Sequence, residues 1–410
     1  MKMLYIASVD FFEKPNPSFH LMKSMLDDLL QAGFEIFFIG IDRKGVGKHV
    51  PEDLFENDLF HYDLISLSHV KKSAFISRYV QGYFYSKKVK KSAKRIIDDV
   101  DFVFVQSSPT VFYTIKYLRK LTDKTIVYNV QDMFPGSSIA SGVLKNKVLQ
   151  NFFFKKQKKA YGNSDVIVAI SNDMKQKLIE QGVNEKKIHV IVNWFDDQTV
   201  HEIPWENNRF VDKFNLSKHF FYVQYAGTMG YVFDYKMVLN VAERLKEEND
   251  IIFQMIGQGS QKEEFMLEAN KRNLTNIQFL PLQPQEMVSD VYSACSVCFI
   301  PLKKGIIGNS VPSKAGILMQ CKRAIITSSD ENSDYNKTIN ANEIGLAKGT
   351  DDVEGVVEVI LKLRNDDNLR ISMGQKGYQY GHELYSRSTN MKKYIALFES
   401  LTNYSNNTIK

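Results

Sequence analysis

The chain has 410 residues, of which 44% are hydrophobic and 24% charged, a length that exceeds one typical core and predicts two domains. Its 3 cysteines cannot form a disulfide framework and fit a reducing compartment; no run approaches the roughly 20 apolar residues that a spanning helix needs. The net charge of +6 is uneven, +7 over residues 1–200 and −1 over the remainder.

In chain order, the apolar run 3–9 meets Asp10, Glu13 and Pro15 at once and reads as a buried first strand, not a signal peptide. A helix over 18–31 and the strand FEIFFIGI at 34–41 follow. The lysine-rich KKVKKSAKR at 87–95 lies on a predicted helix, before the strand DFVFVQS at 101–107, a helix over 111–121 and the strand TIVYNV at 125–130. A second basic and aromatic helix, FFFKKQKKAY at 152–161, precedes the strands SDVIVAIS at 164–171 and KIHVIVNW at 187–194, which flank a helix over 172–181 closed by Gly182. Short β-branched runs alternating with amphipathic stretches indicate a parallel α/β sheet buried on both faces. Two readings stand for the basic helices, a solvated face and an attraction to anionic membrane lipids. Nucleic acid is not an expected partner, since no recognition helix or finger accompanies the charge.

Residues 196–217 are polar, contain Pro204 and follow neither period, so they read as a linker. A second series then runs through HFFYVQYAG, a helix over 235–248, DIIFQMIG, a helix over 261–273, IQFLPL, a helix near 286–294, VCFIPL, a helix after Ser313, and RAIITS. Cys295 and Cys298 form a C-x-x-C inside an apolar run with no second pair beside it, which reads as core thiols, with no metal site expected. From Asp367 onward helices are predicted, the amphipathic segment 390–401 packing across the domain junction.

Ligands of open α/β sheets bind at the carboxyl ends of strands, so the residues there are the candidates. Gly227, Thr228, Met229 and Gly230 follow one strand and offer backbone amides to phosphate oxygens, or simply make a tight turn. Gly257 and Gly259 follow the next, but Lys262 stands where a G-x-G-x-x-G fingerprint needs glycine, which argues against a dinucleotide oxidoreductase. The stretch 305–320 enters a helix at Pro312 and Ser313 with Lys314 beside its free amides, a diphosphate site or a capped helix with a surface lysine. In the first half Gln131 and Asp132 end a strand; Asp132 either orients and deprotonates an acceptor hydroxyl or caps the turn before Pro135.

YNVQDMFP at 128–135, IVAIS followed by VIVNW within 167–194, YAGTMG at 225–230, MIGQGS at 255–260, TNIQFLPL at 275–282 and VPSK at 311–314 together resemble family 4 glycosyltransferases of the GT-B fold, in the bacterial capsule and O-antigen branch. The resemblance spans nearly the whole chain. It implies two Rossmann-like doubly wound domains facing a central cleft: 1–195 for the acceptor, 196–385 for the donor, and 386–410 as a helix returning to the first. It implies retaining transfer of a hexosyl or acetamidosugar group from a UDP-sugar or other nucleotide sugar to a saccharide or lipid-linked acceptor, without metal or cofactor, at the cytoplasmic side, peripheral on the inner face of the cell membrane. Asp132 and Lys314 are then the catalytic residues; Gly227, Thr228, Met229, Gly230, Gly257, Gly259, Leu282, Asn309, Ser310, Val311 and Ser313 hold the donor; Asn16 and Gln131 hold the acceptor. The family's two glutamates fall at Asn309 and Ile317, and its basic pair is missing from 228–234. Those departures leave open a silent subunit supporting a partner glycosyltransferase; a GT-B sugar-nucleotide epimerase is the other alternative.

Overall fold

A computed structural model of the chain describes residues 1–8, 19–43, 52–68, 70, 75–195, 199–309 and 314–407. They fold as two compact units, one of Met1–Ser137, Leu144–Asn193 and Ser388–Lys410, the other of Ser138–Val143 and Trp194–Arg387.

The first unit is built on a seven-stranded sheet, β1 (Lys2–Ile6), β2 (Glu35–Arg43), β3 (Phe60–Leu67), β4 (Phe102–Gln106), β5 (Thr125–Val130), β6 (Val166–Ala169) and β7 (Ile188–Val190), in the order β3-β2-β1-β4-β5-β6-β7. Every pairing is parallel. The second unit repeats the plan with β8 (Phe221–Ala226), β9 (Ile251–Ile256), β10 (Ile277–Leu280), β11 (Val297–Pro301), β12 (Ala324–Ser329) and β13 (Gly345–Gly349), ordered β10-β9-β8-β11-β12-β13 and again parallel. Both are doubly wound Rossmann-like arrangements, whose order reverses at β1/β4 and at β8/β11.

Central strands must bury both faces, and β8 shows how the sequence does this. Phe221, Val223 and Tyr225 enter the core beneath the helices Tyr235–Arg244, Lys262–Lys271 and Val353–Asn365. Tyr222 and Ala226 enter the opposite core with Cys298, Ile300 and Leu318. Gln224 shares that second face and lies in register with Gln254, which lies in register with Gln278. Their amides bond in sequence across three strands, at 3.4 and 3.2 Å, which pairs the Gln254 carboxamide on both sides and leaves Gln224 Oε1 without a partner.

The segment read as a linker has more structure than its composition suggested. Beyond Val200 it holds a 3-10 turn, Trp205–Asn207, and a helix, Arg209–Phe214, capped by the side chain of Asn208 and burying Phe210 and Val211. Two strands escaped the sequence reading, β3 and β13, both at sheet edges and rich in polar residues or glycine. The final helix, Arg387–Asn407, brings Tyr394 and Phe398 into the first unit, with Phe398 ringed by Phe102 at 5.0 Å, Phe104 at 5.6 Å and Phe34 at 6.1 Å between centroids.

Candidate nucleotide-sugar site

The β8/β11 reversal sends the following helices to opposite faces of the second sheet and opens a crevice at the carboxyl ends of the two strands. The turn after β8 lies there. Most of its carbonyls are tied back into the protein. Thr228 O accepts from Tyr225 Oη at 2.8 Å, Met229 O from the Gln261 amide at 3.0 Å, and Val232 O from the Lys303 amide at 3.1 Å. Gln261 Nε2 donates to both Gly230 O at 2.5 Å and Phe233 O at 3.0 Å. By contrast, the amides of Thr228, Gly230, Tyr231 and Val232 donate to no acceptor among the described residues. A turn with most of its carbonyls engaged and these N–H groups unspent presents partial positive charge and is suited to an anion.

Two glycines allow the turn to sit so close to its neighbour. A Cβ on Gly257, whose φ is +139°, would lie 2.0 Å from Gly227 O, and one on Gly259 would lie 2.3 Å from Met229 O. Lys262 Nζ then donates to Gly257 O at 2.8 Å. On the other side, Phe233 pairs with Leu302 and Asp234 N donates to Pro301 O at 3.1 Å. Asp234 caps the helix Tyr235–Arg244 by accepting from Lys236 N and Met237 N. Burial raises its carboxyl above the usual range despite those bonds and Lys303. Burial likewise lowers the Lys303 ammonium, an effect Asp234 opposes.

After β11 the chain turns through Gly305 and Gly308, at φ +79° and +81°. The turn is held by Asp330, which accepts from Gly305 N at 2.7 Å and Ile307 N at 3.2 Å. Asn309 closes it by donating from Nδ2 to Gly305 O at 2.8 Å. The helix Lys314–Gln320 begins just beyond.

In the first unit the strand ends carry a chain of uncharged amides. Asn193 Nδ2 donates to Gln131 Oε1 at 2.7 Å, Gln131 Nε2 to Asn129 Oδ1 at 3.2 Å, and Asn129 Nδ2 to Gln106 Oε1 at 2.8 Å. The backbone amide of Gln131 is held by Ser107 Oγ at 3.0 Å. Asp132 is exposed at the end of β5, next to this chain.

Two family models match in tandem, Glycosyltransferase Family 4 over residues 23–199 and Glycosyl transferases group 1 over residues 206–380. The chain belongs to the family 4 glycosyltransferases of GT-B fold. It is 24% identical to the probable glycosyltransferase WbjE of Pseudomonas aeruginosa over 66% of either chain. It is 26% identical to the putative colanic acid biosynthesis glycosyl transferase WcaI of Escherichia coli strain K12, over 53% of this chain and 55% of that one. The matches thus span just under two thirds, and just over half, of these relatives' own lengths. Solved structures share the fold: sucrose-phosphate synthase from Thermosynechococcus elongatus superposes with a TM-score of 0.76 at 13% identity, covering 98% of this chain and 99% of that one. HepE of Anabaena, solved in complex with UDP, gives 0.72 at 10% identity over 98% and 100%.

Within this family 4 glycosyltransferase, the structure gathers Gly227, Thr228, Gly230, Gly257 and Gly259 around one turn at the end of β8. Met229 stands apart from the expected donor set. Its side chain is buried, its N–H donates to Gln258 O at 2.9 Å and its carbonyl is held by Gln261. Leu282 is 53% exposed beyond β10, and the Asn309 amide is engaged within its own turn. Ile317, at a position of the family's glutamates, is partly buried against the apolar core. Asn16, Ser310, Val311 and Ser313 lie outside the described residues, as does the side chain of Lys314. Sequence reasoning missed Gln261, Lys303 and Asp330, whose side-chain partners lie 23 to 42 residues away.

The thiols take no part. Cys295 and Cys298 are buried with their sulfurs 3.4 Å apart, and burial pushes Cys298 well up and Cys321 up to about 12, so Cys298 and Cys321 stay protonated. Among the described residues no group of three or more His, Cys, Asp or Glu is arranged to hold a metal ion, and no helix is long and apolar enough to cross a membrane.

Proposed function

We propose that this chain transfers a sugar, with retention, from a nucleoside diphosphate sugar bound by the second unit to a saccharide or lipid-linked acceptor during cell-surface polysaccharide synthesis. The observation that carries the donor assignment is the turn 227–233, with the carbonyls of 228, 229, 230, 232 and 233 engaged and, among the described residues, four amides unspent. In group transfer from a diphosphate, charge accumulates on the leaving phosphate, and fixed amide dipoles stabilise it without a covalent intermediate. The reading needs neither metal nor organic cofactor. Lys314, opening its helix, adds a cation, and Thr228 an exposed hydroxyl. In the first unit, uncharged amides beside Asp132 suit the hydroxyls of a saccharide, Asp132 orienting the one that attacks.

The same reading places the enzyme against the inner face of a membrane. The helices Phe75–Ala93, Val111–Arg119 and Lys147–Gly162 pack side by side in the first unit. Lys87 lies over Tyr83 at 4.7 Å, and Lys156 over Phe152 at 5.2 Å and Tyr113 at 5.8 Å. Phe84, Val148, Leu149 and Phe152 are exposed beside them. Exposed apolar side chains rimmed by lysine favour shallow insertion beneath anionic headgroups.

Ile317 favours a second reading, a silent subunit that supports a partner glycosyltransferase, since an apolar side chain packed in the core cannot bind ribose hydroxyls. One experiment separates the two. The full chain is screened against nucleoside diphosphate sugars by thermal shift and by donor hydrolysis. A bound donor raises the melting temperature by mass action, and turnover is expected to vanish in Lys314→Ala. Product NMR reads the anomeric configuration. Absence of both shift and turnover with every donor and saccharide acceptor would leave the subunit reading.

A further inference from the structure

We infer that Lys303 supplies a positive charge for the donor's diphosphate in addition to that of Lys314, reaching the site from the turn after β11 instead of the turn after β8. The inference rests on the donor reading of the second unit. Residues 228–234, TMGYVFD, contain no basic side chain, so the turn that presents its amides brings no full charge of its own. Lys303 lies across the strand reversal from it, two residues beyond the end of β11.

Three observations place and free this ammonium. Its backbone is fixed to the turn, the Lys303 amide donating to Val232 O at 3.1 Å. Its Nζ donates to Gln261 Oε1 at 2.8 Å, and that same carboxamide holds Gly230 O and Phe233 O. The charge is therefore one side chain removed from the unspent amides of Gly230 and Tyr231. Finally, it is partly buried, yet among the described residues it makes no ion pair. Asp234 and Glu264 act on it only at longer range, opposed by Lys236, and the Asp234 carboxylate is already capping a helix.

A desolvated cation with a neutral amide as its partner is unfavourable unless an anion completes its shell. An ammonium carries three hydrogens. One is directed at Gln261, leaving two for phosphoryl oxygens, while the amides of the turn take others. Such an arrangement recognises the diphosphate and is indifferent to base and sugar.

The test is calorimetric titration of the full chain with UDP, GDP and ADP, with inorganic pyrophosphate, and with the nucleoside of whichever diphosphate binds. Lys303→Met is expected to weaken diphosphate and pyrophosphate binding about tenfold or more while nucleoside binding stays within about twofold, and Lys303→Arg to recover to within about threefold of wild type. Lys303→Gln, which keeps a hydrogen bond to Gln261 without the charge, carries the same expectation as Lys303→Met. Diphosphate binding unchanged in both neutral variants overturns the inference alone. A parallel fall in nucleoside binding also overturns it, by making Lys303 a strut for Gln261. Wild-type protein that binds neither diphosphate nor pyrophosphate overturns the inference and the donor reading together.

Discussion

A Cβ added to Gly257 would lie 2.0 Å from the carbonyl oxygen of Gly227, and the backbone at Gly257 has a φ of +139°. Neither can relax cheaply, because the obstacle is main chain and the conformation is open only to glycine. Gly257→Ala is expected to destabilise the protein by about 2–4 kcal/mol, lowering its melting temperature by about 5–10 °C for a unit of this size. Donor binding is expected to fall further than stability at temperatures where the variant remains folded, since the displaced segment is the turn that carries the unspent amides. A variant that melts like wild type would show that the two turns are not in contact.

Asp290 connects the start of the second unit to its core. Its carboxylate is 2% exposed and accepts from Arg209 N at 2.9 Å, from Nε at 3.2 Å and from Nη2 at 2.5 Å. Burial acts to raise its carboxyl, but the hydrogen bonds and charge of Arg209 outweigh it and hold the group below the usual range. A carboxylate depressed in the folded state contributes stability that is fully present above the unfolded value near about 3.9 and is lost as pH falls through the folded value. Urea denaturation from pH 7 to pH 2 is therefore expected to show wild-type stability falling below about pH 4 more steeply than that of Asp290→Asn. Parallel curves would remove Asp290 from the acid response, leaving it to other depressed carboxylates such as Asp250 beside Arg364.

The same pair shows where the sequence stops being informative. The runs FVFVQ of β4 and TIVYNV of β5 are legible because a central parallel strand is buried on both faces, and only a continuous apolar run satisfies that demand. Edge strands are released from it. β3 leaves residues 61–63 exposed and β13 reads GLAKG, so neither stands out from loop. The helix Arg209–Phe214 is too short for a period and is anchored by Asp290, 81 residues later. The glycines of the candidate site were legible because close backbone approach tolerates nothing else. Gln261, Lys303 and Asp330 were not, because a polar side chain that organises a distant turn has no local signature. Met229 was included by its place in the motif, yet the chain turns its side chain inward.

The basic face of the first unit gives a third prediction. Lys87 and Lys156 neighbour the exposed rings of Phe84 and Phe152, and Lys155 is exposed next to Lys156 in the chain. Cosedimentation with vesicles of phosphatidylglycerol and phosphatidylcholine is expected to weaken about tenfold or more when all three lysines become glutamate, at roughly 1 kcal/mol for each charge near the surface. Binding by wild type is expected to fall as salt rises from 0.05 to about 0.5 M, where screening shortens the reach of the lysines. Phe152→Ser should weaken binding while leaving the salt dependence in place. Binding that ignores both charge reversal and salt would assign this face to solvent.

The return of the chain to the first unit gives the fourth. Phe398 is fully buried among Phe34, Phe102, Phe104 and Tyr394, so the β1/β4 half of the first sheet is covered by residues nearly 300 positions downstream of β4. Tyr394 reaches the amide chain as well, its hydroxyl 3.5 Å from Asn129 Oδ1. Truncating a buried phenylalanine typically costs about 3–5 kcal/mol, through lost transfer energy and an unfilled cavity. Phe398→Ala is expected to show that loss in chemical denaturation, whereas Lys392→Ala on the exposed side of the same helix should stay within about 0.5 kcal/mol of wild type. Hydrogen exchange reads each unit separately, so the reporter is exchange at the β4 and β5 amides, whose protection should fall with Phe398→Ala. If those amides keep wild-type protection, the helix is an appendage and the first unit is complete without it. If they lose it, the helix Arg387–Asn407 folds with the first sheet as one body, and the amide chain that flanks Asp132 is held in place by it.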